Sequence, residues 1–208
     1  MAIDVDGSPR AYGPDNTGLD YTANAGHPGN WWGVAVDPMT KDPYIQKATD
    51  PYPGMYISTT ALVDKTYKSE SNPRRFVDAE KIPYIGLPNK KHKQWGIRIG
   101  DIALVYNLKN GKRVFATFAD IKNPNTLGEG SVSLAAQLGL NADPRRGGTI
   151  EADIAYIVFP KSGLGQGKIP TPSDIDNLAG RFLGDSCGYF SDLMISMLSS
   201  MPPKPKKG

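Results

Sequence analysis

Turn-forming residues interrupt this sequence so often that they leave little room for a helical bundle. The 208 residues include 23 glycines and 18 prolines, which end helices and interrupt strands. Between residues 2 and 53 they recur every few positions, as in Gly13-Pro14 and Pro28-Gly29. Apolar residues still make up 39% of the chain, enough for a globular core. The sequence therefore predicts a mainly β protein with a few short helices and long ordered N-terminal loops.

Five apolar stretches have the composition of β-strands. They are Tyr56–Val63, Ile82–Leu87, Ile97–Tyr106, Val114–Ala119 and Ile154–Phe159. The clearest local signal is Asn110-Gly111, which lies between two of these stretches. Because Asn-Gly readily adopts the positive backbone angles of a hairpin turn, we expect a β-hairpin here, with Asp120 at the end opposite the turn.

Three segments carry the signals of short helices. Ser131–Leu138 has apolar residues at helical spacing and is followed by Gly139, a residue type that often ends a helix. A second helix is predicted over Ile175–Leu183. The apolar segment Phe190–Met201, which ends before Pro202, predicts a third.

Size and charge indicate one soluble domain without a nucleic-acid partner. We expect residues 1–203 to form a single domain and residues 204–208 to be a flexible basic tail. The net charge of +3 is too small to imply nucleic-acid binding. No stretch approaches the roughly 20 apolar residues of a transmembrane helix, so we expect no membrane insertion, and we expect a monomer.

The location of the protein stays open at this stage. Residues 1–4 lack the basic flank and apolar run of a secretory signal, although a mature chain without its leader would look the same. The single cysteine, Cys187, cannot form an internal disulfide. The protein is therefore expected either to act outside the cell without a visible signal peptide or to remain in the cytoplasm.

Few residues could support nucleophilic, metal-dependent or cofactor chemistry. The only histidines are His27 and His92, which we interpret as surface residues, so a serine triad or a histidine-rich zinc site is not expected. Cys187 is explained more simply by packing. The chain has no P-loop and no dinucleotide-binding fingerprint, and we expect no cofactor.

Carboxylates remain, and Asp120 and Glu129 are the most suggestive pair. Asp120 follows an apolar stretch that would fix its position, since strand ends are stiff platforms. Glu129 lies between Gly128 and Gly130 at the start of a predicted helix. The intervening loop could bring the two acids together. From spacing alone, a turn aspartate and a helix-capping glutamate explain the pair more simply.

Other candidates lie near the N-terminus. Asp4 and Asp6 alternate and would point to one side of a short strand, where they could contact a cationic sugar. The segment Asp4–Gly7 resembles the start of a calcium-binding loop, but the later ligands of such a loop are missing. We therefore predict no metal site. Tyr12, Trp31 and Trp32 are candidates for stacking on sugar rings, although core packing explains paired tryptophans equally well.

Several ordered segments together match one known family. They are Ile3–Tyr12, Tyr56–Leu62, Phe76–Tyr84, Gly100-Asp101 and the segment from Phe118 to Ser131. Across residues 3 to 160 the chain resembles the fungal-type chitosanases of glycoside hydrolase family 75. The resemblance implies a six-stranded double-psi β-barrel and an inverting endo-hydrolase that cleaves the β-1,4 linkages of chitosan. It also implies that Asp120 and Glu129 carry out the hydrolysis.

Residue chemistry and the matched segments together indicate which residues contact an amino-sugar polymer. Further carboxylates suited to a polycation lie in the matched segments, namely Asp4, Asp6, Asp78, Glu80 and Asp101. We predict substrate contacts for Asp4, Asp6, Tyr12, Trp31, Trp32, Asp101 and Ser131. The sequence departs from the family at Gly13, where a histidine is expected, and it shows no visible leader of the kind expected for the secreted fungal members.

Two alternative functions stay open. Double-psi barrels also occur in peptidoglycan-cleaving enzymes, and the basic stretch Lys90–Lys93 suits the anionic polymer of a cell-wall toxin or lysin. The other alternative is a sugar-binding module without catalysis, in which only the aromatic residues would matter.

For a catalytic pair, an acid behind an apolar strand has a raised pKa, so Asp120 is expected to be the acid and Glu129 the base.

Overall fold

Residues 1–183 are described by a computed structural model, and their regular structure is mainly β. The strands are β1 (Ala2–Asp4), β2 (Gly26–His27), β3 (Asn30–Trp31), β4 (Tyr84–Pro88), β5 (Ile102–Asn107), β6 (Arg113–Lys122), β7 (Glu129–Ser131) and β8 (Ile154–Phe159). The α-helices are α1 (Lys91–Gln94), α2 (Val132–Gln137) and α3 (Pro172–Leu183). Short 3₁₀ turns cover Pro14–Asn16, Thr22–Asn24 and Pro73–Arg75. No helix in this part of the chain is long and apolar enough to cross a membrane.

Six strands form one mixed sheet in the order β1-β7-β4-β6-β5-β8. β1 runs parallel to β7 and β4 runs parallel to β6, while the other neighbours in the sheet are antiparallel. β2 and β3 form a separate small hairpin. Within residues 1–183 the strand order is open, with no pairing between β1 and β8, so the double-psi closure stays a prediction.

The predicted hairpin is confirmed. β5 and β6 pair from Ile102–Thr117 to Tyr106–Arg113, and Gly111 has a φ of 76° in the turn. β6 is longer than predicted because it continues to Lys122. Asp120 therefore lies within the strand, far from the turn.

The predicted strand at Tyr56–Val63 is wrong. Its residues make only isolated bridges, including Val34 with Ser58 and Val63 with Phe76. The hydroxyl of Thr60 donates to the carbonyl of Leu62 at 2.7 Å and accepts from the N–H of Val77 at 3.0 Å. Hydrogen bonds of this kind, between a side chain and the backbone, take the place of the backbone hydrogen bonds that pair neighbouring strands.

Two further predicted elements begin later than expected. The strand predicted from Ile97 starts only at Ile102, because Gly100 turns the chain with a φ of 92°. The helix predicted after Glu129 starts at Val132, and Ser131 caps it by accepting a hydrogen bond from the N–H of Leu134. Glu129 itself belongs to β7.

Helix α3 confirms the prediction for the segment before residue 183. The predicted helix Phe190–Met201, the predicted tail 204–208 and Cys187 lie outside the described residues.

Apolar side chains pack on both faces of the sheet. One face and α2 share the largest cluster, whose members include Ile85, Leu87, Ala103, Val105, Phe118, Leu134 and Leu138. On the other face α3 packs on Ile102 through Ile175, Leu178 and Ala179. The N-terminal loops have their own cluster of Val5, Ala11, Tyr12, Ala25 and Val34. These clusters fix β6 and the N-terminal loops, which carry the acidic residues of the candidate site.

Candidate active site

The two predicted catalytic carboxylates lie in one row across the sheet. Asp120 in β6 and Glu129 in β7 are both paired in register with Gly86 of β4. Neighbouring strands are about 4.8 Å apart, so a single strand separates the two acids. Since Gly86 has no side chain, the space between the acids is open to other side chains.

The ammonium group of Lys122 joins four carboxylates in that space. Its Nζ lies 2.8 Å from Asp4 Oδ2, 2.8 Å from Asp6 Oδ2, 2.7 Å from Asp120 Oδ2 and 3.3 Å from Glu129 Oε2. Lys122 and Asp120 point to the same face of β6 because they are two residues apart in a strand. The structure thus brings residues near 4, 120 and 129 to one point.

These contacts limit the separation of the proposed catalytic acids. Asp120 Oδ2 and Glu129 Oε2 lie 2.7 Å and 3.3 Å from the same nitrogen, so they are at most 2.7 + 3.3 = 6.0 Å apart. Both residues line one cavity. The geometry therefore permits the two acids to act on one bond.

The cavity has a volume of about 540 Å³ and is strongly acidic. Among the described residues that line it, the carboxylates are Asp4, Asp6, Asp20, Asp120 and Glu129, and Lys122 is the only lysine or arginine. One ammonium cannot neutralise five ionised carboxylates. We call this cavity the acidic groove.

Asp120 has an environment suited to proton transfer. It is 8% exposed, and its Oδ1 accepts a hydrogen bond from the N–H of Ala61 at 2.9 Å. Burial raises the pKa of Asp120 to about 6, and the charge of Asp6 adds to this, whereas Lys122 acts in the opposite direction. Asp120 can therefore hold a proton at mildly acidic pH.

Lys122 stays charged although it is almost buried. Burial alone would lower its pKa, but the charges of Asp6, Asp4 and Asp120 together raise it well above its usual value. Burial, followed by the charge of Asp6, raises the pKa of Asp4. A fixed positive charge therefore stands among carboxylates that burial would otherwise favour in the neutral form.

Tyr12 lines the acidic groove but is only 4% exposed, and it holds Asp6 in place. Its hydroxyl donates to Asp6 Oδ1 at 2.9 Å, and its ring is buried in the N-terminal cluster. Burial raises the pKa of Tyr12, so it remains a neutral donor. Tyr84 adds a bond from its hydroxyl to the carbonyl of Asp6 at 2.9 Å.

The structure separates the two neighbouring tryptophans. Trp32 lines the acidic groove and is 58% exposed, and its indole N–H donates to the carbonyl of Asn24 at 2.9 Å. Trp31 packs on the N-terminal cluster instead, with its ring 5.8 Å from that of Tyr56. Of these two tryptophans, Trp32 is the one placed to stack on a ligand in the groove.

Asp101 and Ser131 do not line the acidic groove. Asp101 is buried and accepts from the N–H groups of Arg98 at 2.8 Å and Ser162 at 3.1 Å. Ser131 is also buried, and its hydroxyl accepts from the N–H of Tyr84 at 3.0 Å. Both side chains hold backbone segments together.

Asp78 and Glu80 also lie apart from this groove. Glu80 pairs with Arg10 and accepts from the hydroxyl of Ser8 at 2.7 Å, while Asp78 pairs with Lys81. Their charges are therefore matched locally.

The interpretation of His92 as a surface residue is wrong. It is 3% exposed, with Nδ1 3.1 Å from the carbonyl of Ile97 and its ring 5.1 Å from that of Phe118. Helix α1 turns His92 inward while Lys91 and Lys93 stay exposed. His27 is exposed, as expected.

Lys122 and Gly86 are the residues that sequence reasoning missed. The sequence of residues 121–127 reads as a loop, whereas β6 continues to Lys122 and places it on the same face as Asp120. No sequence signal marks Gly86, because its importance depends on which strands lie beside β4.

Comparison with known families shows the family of this chain. A family model described as fungal chitosanase of glycosyl hydrolase group 75 matches residues 1–177. The chain belongs to this family. It is therefore a glycosidase, and the match covers all eight strands and the whole acidic groove. No curated protein matches the sequence.

The space above Gly86 provides a direct test of the site. A Cβ at this position would lie 2.9 Å from Lys122 Cγ and 3.0 Å from Lys122 Cε, so Gly86→Ala should displace the lysine. We expect kcat on chitosan to fall on the order of 10²-fold, since small misplacements of catalytic groups have effects of this size. Reducing-end release and thermal unfolding would be measured together.

Gly180→Ala is the matched control, because a Cβ there meets no atom within 4 Å. It should keep wild-type turnover. Unchanged kcat in a folded Gly86→Ala variant would show that the position of Lys122 does not matter for catalysis.

Proposed function

We propose that this glycoside hydrolase is an endo-acting chitosanase that cleaves β-1,4 linkages with Asp120 and Glu129 as its catalytic carboxyl groups. The observation that carries the proposal is the row Asp120, Gly86 and Glu129, which gives two carboxylates in one groove, at most 6.0 Å apart. Hydrolysis of a glycosidic bond needs two such groups, one to protonate the leaving oxygen and one to act on the opposite face of the sugar.

The charge of the acidic groove supports chitosan as the substrate. Chitosan carries protonated amines, and a groove with five carboxylates and one lysine attracts a polycation. Asp20 extends the acidic lining beyond the four carboxylates that contact Lys122. Trp32 offers an exposed, fixed ring on which a sugar can stack.

We assign the acid role to Asp120 and the base role to Glu129. A carboxyl group whose pKa is raised to about 6 is partly protonated in mildly acidic solution, as a general acid must be. The Glu129 side chain is more exposed than that of Asp120, at 21% against 12%, so water reaches it more easily. Asp120 then donates its proton to the leaving oxygen while Glu129 removes a proton from the water that bonds to the anomeric carbon.

The family resemblance is our reason for proposing inversion. Inverting enzymes hold the two carboxyl groups roughly 6.5 to 9.5 Å apart and retaining enzymes about 5 Å apart. The two oxygens that contact Lys122 are at most 6.0 Å apart, which is below the separation in inverting enzymes, so the proposal of inversion is based on the resemblance alone. The resemblance also underlies our proposals of a double-psi barrel core and of action outside the cell. The proposals of one domain over residues 1–203 and of a monomer come from the sequence itself.

One observation favours peptidoglycan as a second candidate substrate. Asn89 lines the acidic groove, and three exposed lysines follow it closely in Lys90, Lys91 and Lys93. An anionic polymer could contact this edge. Family membership indicates an enzyme, so we do not propose a non-catalytic sugar-binding module.

Paired digestion decides between the two substrates. The same preparation is incubated with partly acetylated chitosan and with purified peptidoglycan, and new reducing ends are counted in each. The charge of the acidic groove predicts release from chitosan. Release from peptidoglycan alone would contradict the proposed substrate while leaving the two carboxylates as candidates.

The stereochemistry of the first product tests the mechanism. Hydrolysis of a soluble chitosan oligomer, followed by proton NMR before mutarotation, should show the α-anomer first, because one displacement by water inverts a β-linkage. Initial formation of the β-anomer would indicate a covalent intermediate and a retaining enzyme.

A further inference from the structure

The N-terminal aspartates use their oxygens within the protein. Asp4 Oδ1 accepts from the N–H of Asp6 at 3.0 Å, and Asp6 Oδ1 accepts from the hydroxyl of Tyr12 at 2.9 Å. The other oxygen of each aspartate lies 2.8 Å from Lys122 Nζ. Asp4 is only 5% exposed. This arrangement differs from the expectation that both residues contact substrate.

We propose that Asp4, Asp6 and Lys122 form a positioning unit that holds Asp120 and Glu129 in place, and that the two aspartates act on catalysis through Lys122. The proposal rests on the proposed function of Asp120 and Glu129. Asp4, Asp6 and Lys122 are then positioning residues, and the substrate contacts belong to other residues of the acidic groove.

The geometry of the lysine supports this role. Its side chain is 14% exposed and crosses the space over Gly86 to reach both acids. An ammonium group has only three N–H donors, yet four carboxylates surround this one. Asp4 and Asp6 hold the ammonium from the N-terminal side, so its position relative to Asp120 and Glu129 is fixed.

The same contacts act on Asp120 in opposite directions. The positive charge of Lys122 lowers the pKa of Asp120, whereas the negative charge of Asp6 raises it. Removal of the lysine charge should therefore raise this pKa, and removal of the Asp6 charge should lower it. These shifts test whether Lys122 and Asp6 act on Asp120, and KM tests whether Asp6 also contacts the substrate.

The test compares Asp6→Asn, Lys122→Met and Lys122→Arg on soluble chitosan across pH. Because the general acid must be protonated, wild-type kcat should decline as pH rises through about 6. In Asp6→Asn this decline should move to lower pH. KM should stay within about twofold of the wild-type value, because a change of this size is smaller than the loss of one hydrogen bond to the substrate. In Lys122→Met it should move to higher pH, and kcat should fall on the order of 10²-fold.

Lys122→Arg keeps the charge and should restore part of the kcat and the wild-type pH dependence. The substrate amines titrate equally in every assay, so shifts relative to the wild type report the enzyme. Asp37→Asn is the control, since Asp37 also accepts backbone N–H bonds, from Met39 and Thr40, but does not line the acidic groove. It should shift nothing.

A raised KM in Asp6→Asn with an unshifted pH profile would overturn the proposal and make Asp6 a substrate contact. Carbon NMR of the Asp120 carboxyl group gives its pKa without activity. If the wild type proves inactive on chitosan, the proposed function fails, while opposite NMR shifts still support the positioning unit and their absence still contradicts it. Should Lys122→Met not fold, Asp6→Asn and Lys122→Arg decide the matter.

Discussion

The acidic groove depends on the ion pairs that the ammonium group of Lys122 makes with the carboxylates around it. Asp4 and Asp120 are buried, and Asp6 is partly buried. Buried carboxylates without an opposite charge are costly, and removal of one partner from a buried pair typically costs about 3 to 5 kcal/mol. Lys122 contacts all three, and Glu129 as well. Without Lys122, the repulsion and burial of these acidic side chains would disfavour folding. Its positive charge allows them to lie together in the groove.

The sheet order explains how carboxylates from three segments of the chain reach one lysine. β4 lies between β6 and β7, so Gly86 stands between Asp120 and Glu129 in the same row. β1 pairs in parallel with β7, which places Asp4 opposite Ser131. The buried side chain of Ser131 in turn bonds to the backbone of Tyr84 in β4. Ser131 thus joins β7 to β4, and the substrate contact predicted for it stays a prediction.

Local features could be predicted from the sequence, whereas features that depend on strand neighbours could not. The hairpin at Asn110-Gly111 and the helix after Ser131 are set by turn and capping residues within a few positions. Asp120 and Glu129 stand out among the carboxylates of the sequence, but their spacing alone favours simple structural roles, and only the family resemblance implies a catalytic role. The roles of Gly86 and Lys122 follow from the pairing of β4 with two distant strands, and single-sequence patterns do not contain that pairing.

The most direct measurement is kcat on chitosan for Asp120→Asn and Glu129→Gln, with folding checked by thermal unfolding. Each amide removes a proton-transfer group while keeping the shape of the side chain. If these two carboxylates are the catalytic pair, each variant should fold and lose about 10² to 10⁴-fold in kcat. A folded Glu129→Gln variant that kept more than half of the wild-type rate would contradict the assignment.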